Sequence, residues 1–202
     1  MEILFVCTGN ICRSPMAEAI FEDRLARGYP GLYPLVNAGS AGVAALEGNS
    51  VTETAVQAMD LRGIDLSGHR ARLLDRRMAR GADLIVTMAR EHLLSLQRMD
   101  KELADKAHTL LFLASCHDEA MRSLGRKTVG GEGELESRLR DLLGWLASER
   151  KRSGKGEAEM MASDIIDPIG GTLETYLTVA DEIEEALEKV MPMLFGEPEE
   201  MP

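Results

Sequence analysis

Apolar residues along the chain fall into short continuous runs that alternate with longer segments of helical spacing. Alternating strands and helices are typical of right-handed crossovers, which make the strands parallel and cover both faces of the sheet. We therefore predict a three-layer α/β fold with a four-stranded parallel sheet. The runs predict strands over residues 2–7, 33–38, 83–88 and 108–113, and the spaced segments predict helices over 15–27, 49–62 and, as one or two helices, 90–106.

This alternation stops between residues 114 and 164. Leucines at helical spacing within that stretch predict one amphipathic helix over 134–150, with its apolar stripe packed against the rest of the protein. Beyond it, residues 172–190 form a predicted closing helix with Thr172 as its N-cap. We interpret 1–202 as a single domain with an insertion at about 114–164.

Composition narrows the classes of function. The 202 residues are 45% hydrophobic, which is enough for a sizeable core. Lys and Arg number 23 against 34 Asp and Glu, and the net charge of −11 argues against binding to nucleic acid or to anionic membranes. No apolar run approaches the ~18 residues of a membrane span. Three cysteines are too few for a disulfide scaffold, so we expect a cytoplasmic, reducing location.

The candidate chemistry lies in the loop between the first strand and the first helix, residues 7–15, which reads Cys-Thr-Gly-Asn-Ile-Cys-Arg-Ser-Pro. Backbone N–H groups of such a loop can surround an anion, Gly9 permits the tight curvature, and the helix N-terminus adds positive potential. Arg13 supplies a planar guanidinium that matches two phosphate oxygens. Cys7 at the base of this cup is favoured as a thiolate and positioned for attack on a phosphoryl group. The alternative is that Cys7 is an ordinary buried cysteine at the end of a strand. The residues around it in the loop favour the catalytic interpretation.

The segment 7–18 resembles the signature of the low-molecular-weight protein tyrosine phosphatases. That family also carries an Asp-Pro general-acid loop near its C-terminus, and here Asp167 and Pro168 precede the last predicted helix. The resemblance extends over about residues 1–113 and 164–190 and does not include the stretch between them. It implies a phosphate-binding loop between the first strand and the first helix, and phosphorylated proteins as substrates.

The resemblance also implies individual roles. Cys7 is the expected nucleophile, Arg13 the phosphate clamp, and Asp167 the acid that protonates the leaving group and then activates water. The other implied residues either bind phosphate or support the loop. The phosphate-binding set is Thr8, Gly9, Asn10, Ile11, Cys12 and Ser14, and the supporting set is Ser40 and His69.

Several cysteines and histidines have roles that the sequence leaves open. In the family, the second loop cysteine, here Cys12, can form a disulfide with the nucleophile and protect it from oxidation. The alternative is that Cys12 forms no disulfide and is only a small buried residue. No metal-ligand spacing is present, and we expect no metal and no cofactor. The sequence assigns no partner to His92, His108 or His117.

The substrate prediction depends on the loop residue Ile11, because related bacterial protein arginine phosphatases commonly have Thr at this position. A branched hydrocarbon offers no hydroxyl to a guanidino nitrogen, so we expect phosphotyrosine as the substrate. Aliphatic residues at Ile169 and over 43–46 lack the aromatic wall of the tyrosine enzymes, so a protein arginine phosphatase is the alternative. An arsenate reductase needs resolving cysteines, of which only Cys116 lies outside the loop. The oligomeric state stays open.

Overall fold

The computed structural model describes residues 1–153 and 164–198. One sheet of four parallel strands has the order β2-β1-β3-β4, and helices lie on both of its faces. This confirms the predicted α/β fold. The strands are β1 (Glu2–Cys7), β2 (Asn37–Gly42), β3 (Leu84–Thr87) and β4 (Ala107–Thr109). The α-helices are α1 (Arg13–Gly28), α2 (Glu53–Asp60), α3 (Arg76–Gly81), α4 (Arg90–Met99), α5 (Leu110–Ser115), α6 (His117–Leu124), α7 (Glu132–Ser153) and α8 (Leu173–Phe195).

The central strand β1 separates two hydrophobic cores because successive side chains point to opposite faces. Ile3 and Phe5 belong to the larger core, which α1, α2 and α8 cover. Leu4 and Val6 belong to the smaller core, together with Leu93 of α4. Since both faces are buried, the strand reads as a continuous apolar run, as a parallel sheet requires.

Two predicted strands are shifted in the structure. The segment predicted as a strand over 33–38 begins with a 3₁₀ turn, Tyr33–Leu35, and the strand itself is Asn37–Gly42. The predicted fourth strand ends early at Thr109, because the Thr109 side chain accepts a hydrogen bond from the Phe112 N–H and starts α5. The first helix begins at Arg13, two residues before the predicted start.

The predicted amphipathic helix is present as α7, and its leucine stripe packs as expected. Leu135, Leu139, Leu142 and Leu146 are buried in the larger core. The first half of α7 lies near the amino ends of the strands, where Leu139 lines a cleft with Met1. Residues 154–163 of the predicted insertion lie outside the described residues, and the insertion itself stays a prediction.

Helix α8 begins where predicted and continues to Phe195, five residues beyond the predicted end. The Thr172 hydroxyl accepts a hydrogen bond from the Thr175 N–H and caps it. No helix in the described part of the chain is long and apolar enough to cross a membrane.

Candidate functional site

The loop of residues 8–12 leaves β1 at the carboxyl edge of the sheet, where ligands bind in open parallel sheets. The end of β2 holds it in place, because the Val43 and Ala44 N–H groups donate to the Cys7 and Thr8 carbonyls at 3.0 and 2.9 Å. Gly42 permits this approach, since a Cβ there would lie 2.5 Å from the Thr8 carbonyl oxygen. The loop is therefore fixed by contacts with backbone.

Cys7 lies buried at the base of this loop. Its Sγ is 3.0 Å from the Ser14 hydroxyl oxygen and accepts a hydrogen bond from the Asn10 N–H at 3.2 Å. Two polar partners of this kind stabilise a sulfur anion. The structure thus brings Cys7, Asn10 and Ser14 together.

Asn10 organises the interior of the loop. Among the described residues other than glycine it alone has a positive φ, 54°, which asparagine tolerates better than most residues. Its side-chain amide donates to the Ser14 hydroxyl at 3.0 Å and to the Ser40 hydroxyl at 2.7 Å, and its Oδ1 accepts from the Arg72 N–H at 2.8 Å. Asn10 is fully buried, and these bonds fix the curvature of the loop.

Ser40 and His69 support Asn10 from the side of the loop. The Ser40 hydroxyl donates to the Glu18 carboxylate at 2.5 Å, and His69 Nε2 lies 3.2 Å from the Asn10 carbonyl oxygen. Burial lowers the pKa of His69, although the Glu18 charge opposes this. A neutral imidazole in this position serves as a hydrogen-bond partner.

Arg13 and Asp167 form an ion pair. The Arg13 side chain is 4% exposed, and its Nη1 donates to the Ile165 carbonyl at 3.1 Å. Its Nη2 lies 2.5 Å from Asp167 Oδ2. Asp167 itself sits at the surface of the loop, 42% exposed, with the Ile169 N–H on its other oxygen at 3.2 Å. The first residue of α1 and the loop before α8 therefore bring a guanidinium and a carboxylate into contact.

The second loop cysteine, Cys12, faces two hydroxyl groups that the sequence does not predict, from the half-buried Thr52 and the buried Tyr176. Its Sγ lies 3.5 Å from both the Thr52 hydroxyl oxygen and the Tyr176 hydroxyl oxygen. Burial raises the pKa of Cys12, and burial also raises the pKa of Tyr176 to about 12. Cys7, Cys12 and Cys116 form no disulfide in the structure.

Sequence reasoning also misses His92, because its partner lies 84 residues away. His92 Nε2 is 2.9 Å from Thr8 Oγ1, and Arg13 Nη2 lies 3.4 Å from that same oxygen. A signal for the burial of His92 was present in the sequence, because His92 and Leu96 are four residues apart and share one helix face. Both are fully buried on α4.

Aliphatic residues lie on the loops around the cup. Ile11 is half-buried, whereas Leu46 and Ile169 are 71% and 59% exposed. No group of three or more His, Cys, Asp or Glu side chains suited to a metal ion occurs within residues 1–153 and 164–198. The site thus combines a cysteine sulfur, a guanidinium and a carboxyl group, which are the groups that phosphoryl transfer to sulfur requires.

Comparison with known proteins gives one matching family model, low molecular weight phosphotyrosine protein phosphatase, over residues 2–123. The chain is 30% identical over 194 residues to the protein-arginine-phosphatase of Bacillus subtilis, covering 96% of this chain and 97% of that protein. It is also 41% identical to the low molecular weight protein-tyrosine-phosphatase Wzb of Escherichia coli over 104 residues. This match covers 52% of this chain and 65% of that protein.

Solved structures are similar along most of the chain. A mutant of YwlE from Bacillus subtilis is 29% identical, with a TM-score of 0.64 over 94% of this chain and 95% of that chain. The low molecular weight protein tyrosine phosphatase from T. tengcongensis is 32% identical, with a TM-score of 0.65 over 95% of this chain and 97% of that chain.

Proposed function

The chain belongs to the low molecular weight phosphotyrosine protein phosphatase family, a family of hydrolases, and from this we propose that it removes the phosphoryl group of phosphotyrosine in proteins through a phosphocysteine on Cys7. One observation carries the proposal. Cys7 Sγ accepts a hydrogen bond from the Asn10 N–H at 3.2 Å, and Arg13, the first residue of the helix after this loop, contacts Asp167.

The first step is transfer of the phosphoryl group to sulfur. The Cys7 thiolate forms the S–P bond while the bond from phosphorus to the ester oxygen breaks. The Arg13 guanidinium and the loop N–H groups balance the charge on the phosphoryl oxygens. The Asp167 carboxyl gives its proton to the departing oxygen, because a phenolate is a poor leaving group unless it is protonated.

The second step returns the enzyme to its starting state. Asp167, now a carboxylate, takes a proton from water as the water oxygen bonds to phosphorus. The S–P bond breaks and its electron pair returns to Cys7, which leaves inorganic phosphate. The Ser14 hydroxyl, 3.0 Å from Sγ, stabilises the sulfur anion that this step releases.

Ile11 supports phosphotyrosine as the substrate. Its branched side chain is half-buried and packs against the larger core, so it offers hydrocarbon beside the cup. A phenyl ring gains from contact with hydrocarbon. The guanidino nitrogens of phosphoarginine need polar partners, which this side chain lacks.

A protein arginine phosphatase is the second candidate. The relative from Bacillus subtilis matches 97% of its own length, whereas the tyrosine phosphatase relative from Escherichia coli matches 65% of its own. Leu46 and Ile169 at the mouth are aliphatic and provide no aromatic face for stacking on a tyrosine ring. These two observations favour phosphoarginine, a phosphoramidate, as the alternative to phosphotyrosine.

Side-by-side turnover of a phosphotyrosine peptide and a phosphoarginine peptide tests the proposal. We expect the wild-type protein to prefer phosphotyrosine, Ile11→Thr to shift the ratio toward phosphoarginine, and Cys7→Ser to lose turnover while still binding inorganic phosphate. Faster turnover of phosphoarginine by the wild type would select the second candidate. Rapid quenching and mass spectrometry must find the phosphoryl group on Cys7, and its presence on another residue would overturn the mechanism.

A further inference from the structure

A buried imidazole that the proposed mechanism does not use lies against the phosphate loop. His92 on α4 is 0% exposed, and its Nε2 is 2.9 Å from Thr8 Oγ1. Arg13 Nη2 lies 3.4 Å from the same oxygen. The Thr8 hydroxyl therefore joins α4 to the guanidinium that faces the substrate.

The surroundings of His92 place its ring proton on Nε2. Nδ1 has no hydrogen-bond partner in the described part of the chain. A buried N–H without a partner is less favourable than an unfilled lone pair, so Nδ1 is the unprotonated nitrogen. The Glu91 carboxylate, 3.5 Å from Nε2, favours a proton on Nε2 as well.

The ring is neutral near neutral pH, so it carries this one proton only. Burial, and then the positive charge of Arg13, lower the pKa of His92 to about 4. The Asp167 and Asp164 carboxylates act in the opposite direction. The direction of the hydrogen bond to Thr8 is therefore set by the ring nitrogen that carries this proton.

A threonine hydroxyl has two lone pairs and one proton. The Arg13 guanidinium can only donate, and the His92 Nε2–H donates as well, so both lone pairs of Thr8 Oγ1 are occupied. Among residues 1–153 and 164–198, the Thr8 hydroxyl makes no hydrogen bond besides these two. That proton is left for a ligand in the cup.

We propose that the Thr8 hydroxyl donates to an oxygen of the bound phosphoryl group and that His92 is the positioning residue that directs this donor. The inference rests on the proposed phosphate site and adds a side-chain donor to its backbone N–H groups. His92 touches no substrate and acts through Thr8. Its buried place on α4 makes the direction of the hydroxyl a fixed property of the fold.

Calorimetric binding of inorganic phosphate to the full chain tests the pair. Thr8→Val keeps the shape of the side chain and removes the donor, so the affinity should fall about tenfold, as for a hydrogen bond to a charged group. His92→Leu leaves the hydroxyl undirected and should lower the affinity about threefold. His92→Gln places an amide N–H near the Nε2 position and should restore most of the affinity.

The double variant Thr8→Val/His92→Leu separates positioning from packing. It should bind phosphate no more weakly than Thr8→Val alone, because His92 acts through the missing hydroxyl. Losses that multiply, or an unchanged affinity in Thr8→Val, would overturn the inference. Thr87→Val is the matched control, since the buried Thr87 hydroxyl has no hydrogen-bond partner in the described part of the chain, and it should bind like the wild type.

The ring nitrogens of ¹⁵N-labelled wild-type protein provide a test that needs no variant. We expect Nε2 of His92 to be the protonated nitrogen, and a proton on Nδ1 would contradict the assignment.

Failure of the inference is distinct from failure of the proposed function. Wild-type protein that neither binds phosphate nor turns over an aryl phosphate refutes the function, whereas normal turnover with normal phosphate affinity in Thr8→Val refutes only the role of Thr8.

Discussion

Asp167 Oδ2 lies 2.5 Å from Arg13 Nη2, the guanidinium nitrogen that we expect a phosphoryl oxygen to contact. Arg13 keeps a second acceptor on Nη1, the Ile165 carbonyl, which a bound anion need not displace. Because Asp167 is 42% exposed and Arg13 is 4% exposed, the carboxylate is the partner that can move. We therefore expect a bound oxyanion to displace the Asp167 carboxylate from Arg13.

Removal of the Asp167 charge should tighten the binding of inorganic phosphate. Asp167→Asn weakens the competing ion pair, and a partly exposed pair of this kind contributes enough for a gain of about threefold in affinity. Asp164→Asn is the control, because it removes a charge from the same loop but Asp164 pairs with Arg90. Equal gains in the two variants, or weaker binding in Asp167→Asn, would contradict the competition.

The same substitution should slow catalysis in a way that depends on the leaving group. A general acid contributes about 10²–10⁴-fold, and the contribution is largest where the leaving oxygen is most basic. Asp167→Asn should therefore reduce kcat for phenyl phosphate far more than kcat for p-nitrophenyl phosphate. Steady-state kinetics with both esters measures the ratio. An equal reduction for the two esters would reject Asp167 as the acid.

Gly42 should be essential for the shape of the phosphate loop. A Cβ at this position would lie 2.5 Å from the Thr8 carbonyl oxygen and 2.8 Å from the Asn10 nitrogen, both of which are backbone atoms. Gly42→Ala should move the loop, abolish measurable phosphate binding and lower the melting temperature. Gly31→Ala is the control, because nothing lies within 4 Å of its added Cβ. Normal phosphate affinity in Gly42→Ala would show that the loop does not need this close approach.

The first strand, the loop and the cap of α8 could be predicted because their signals are local. Cys7 to Ser14 carry the loop in one stretch of sequence, and Thr172 lies directly before the helix that it caps. The second strand could not be placed, because Asn37–Gly42 contains no β-branched residue and forms a strand through its pairing with β1.

The missed parts of the site depend on contacts between distant residues. Thr8 and His92 are 84 residues apart, and Cys12 and Tyr176 are 164 residues apart. Nothing in either local sequence indicates the partner, because only the order of the strands brings the helices α4 and α8 beside the first loop. The hydrogen bonds follow from the topology of the fold, which the sequence pattern specifies only coarsely.

Arg138 should stabilise the protein without affecting catalysis. This buried guanidinium of α7 donates to four main-chain carbonyls near the C-terminal ends of α6 and α8, where the helix dipoles favour a cation. Arg138→Met leaves these carbonyls without their donor and should lower the free energy of unfolding by about 3 kcal/mol. Urea denaturation measures the loss, and the exposed Arg140→Met should leave stability unchanged. A small effect of Arg138→Met would mean that water replaces the guanidinium.

The buried His92 should make the stability of the protein depend on pH. Its pKa is lowered from 6.5 to about 4, mainly by burial, so the folded protein binds fewer protons than the unfolded chain between these values. The contribution of neutral His92 to the free energy of unfolding is therefore complete above about pH 6.5. It is lost as the pH falls toward 4, and the total loss is about 3 kcal/mol. Burial lowers the pKa of His69 too, which adds a loss of the same sign. Denaturation of the wild type and of His92→Gln over this range should show a shallower decline for the variant, and parallel curves would contradict the shifted pKa.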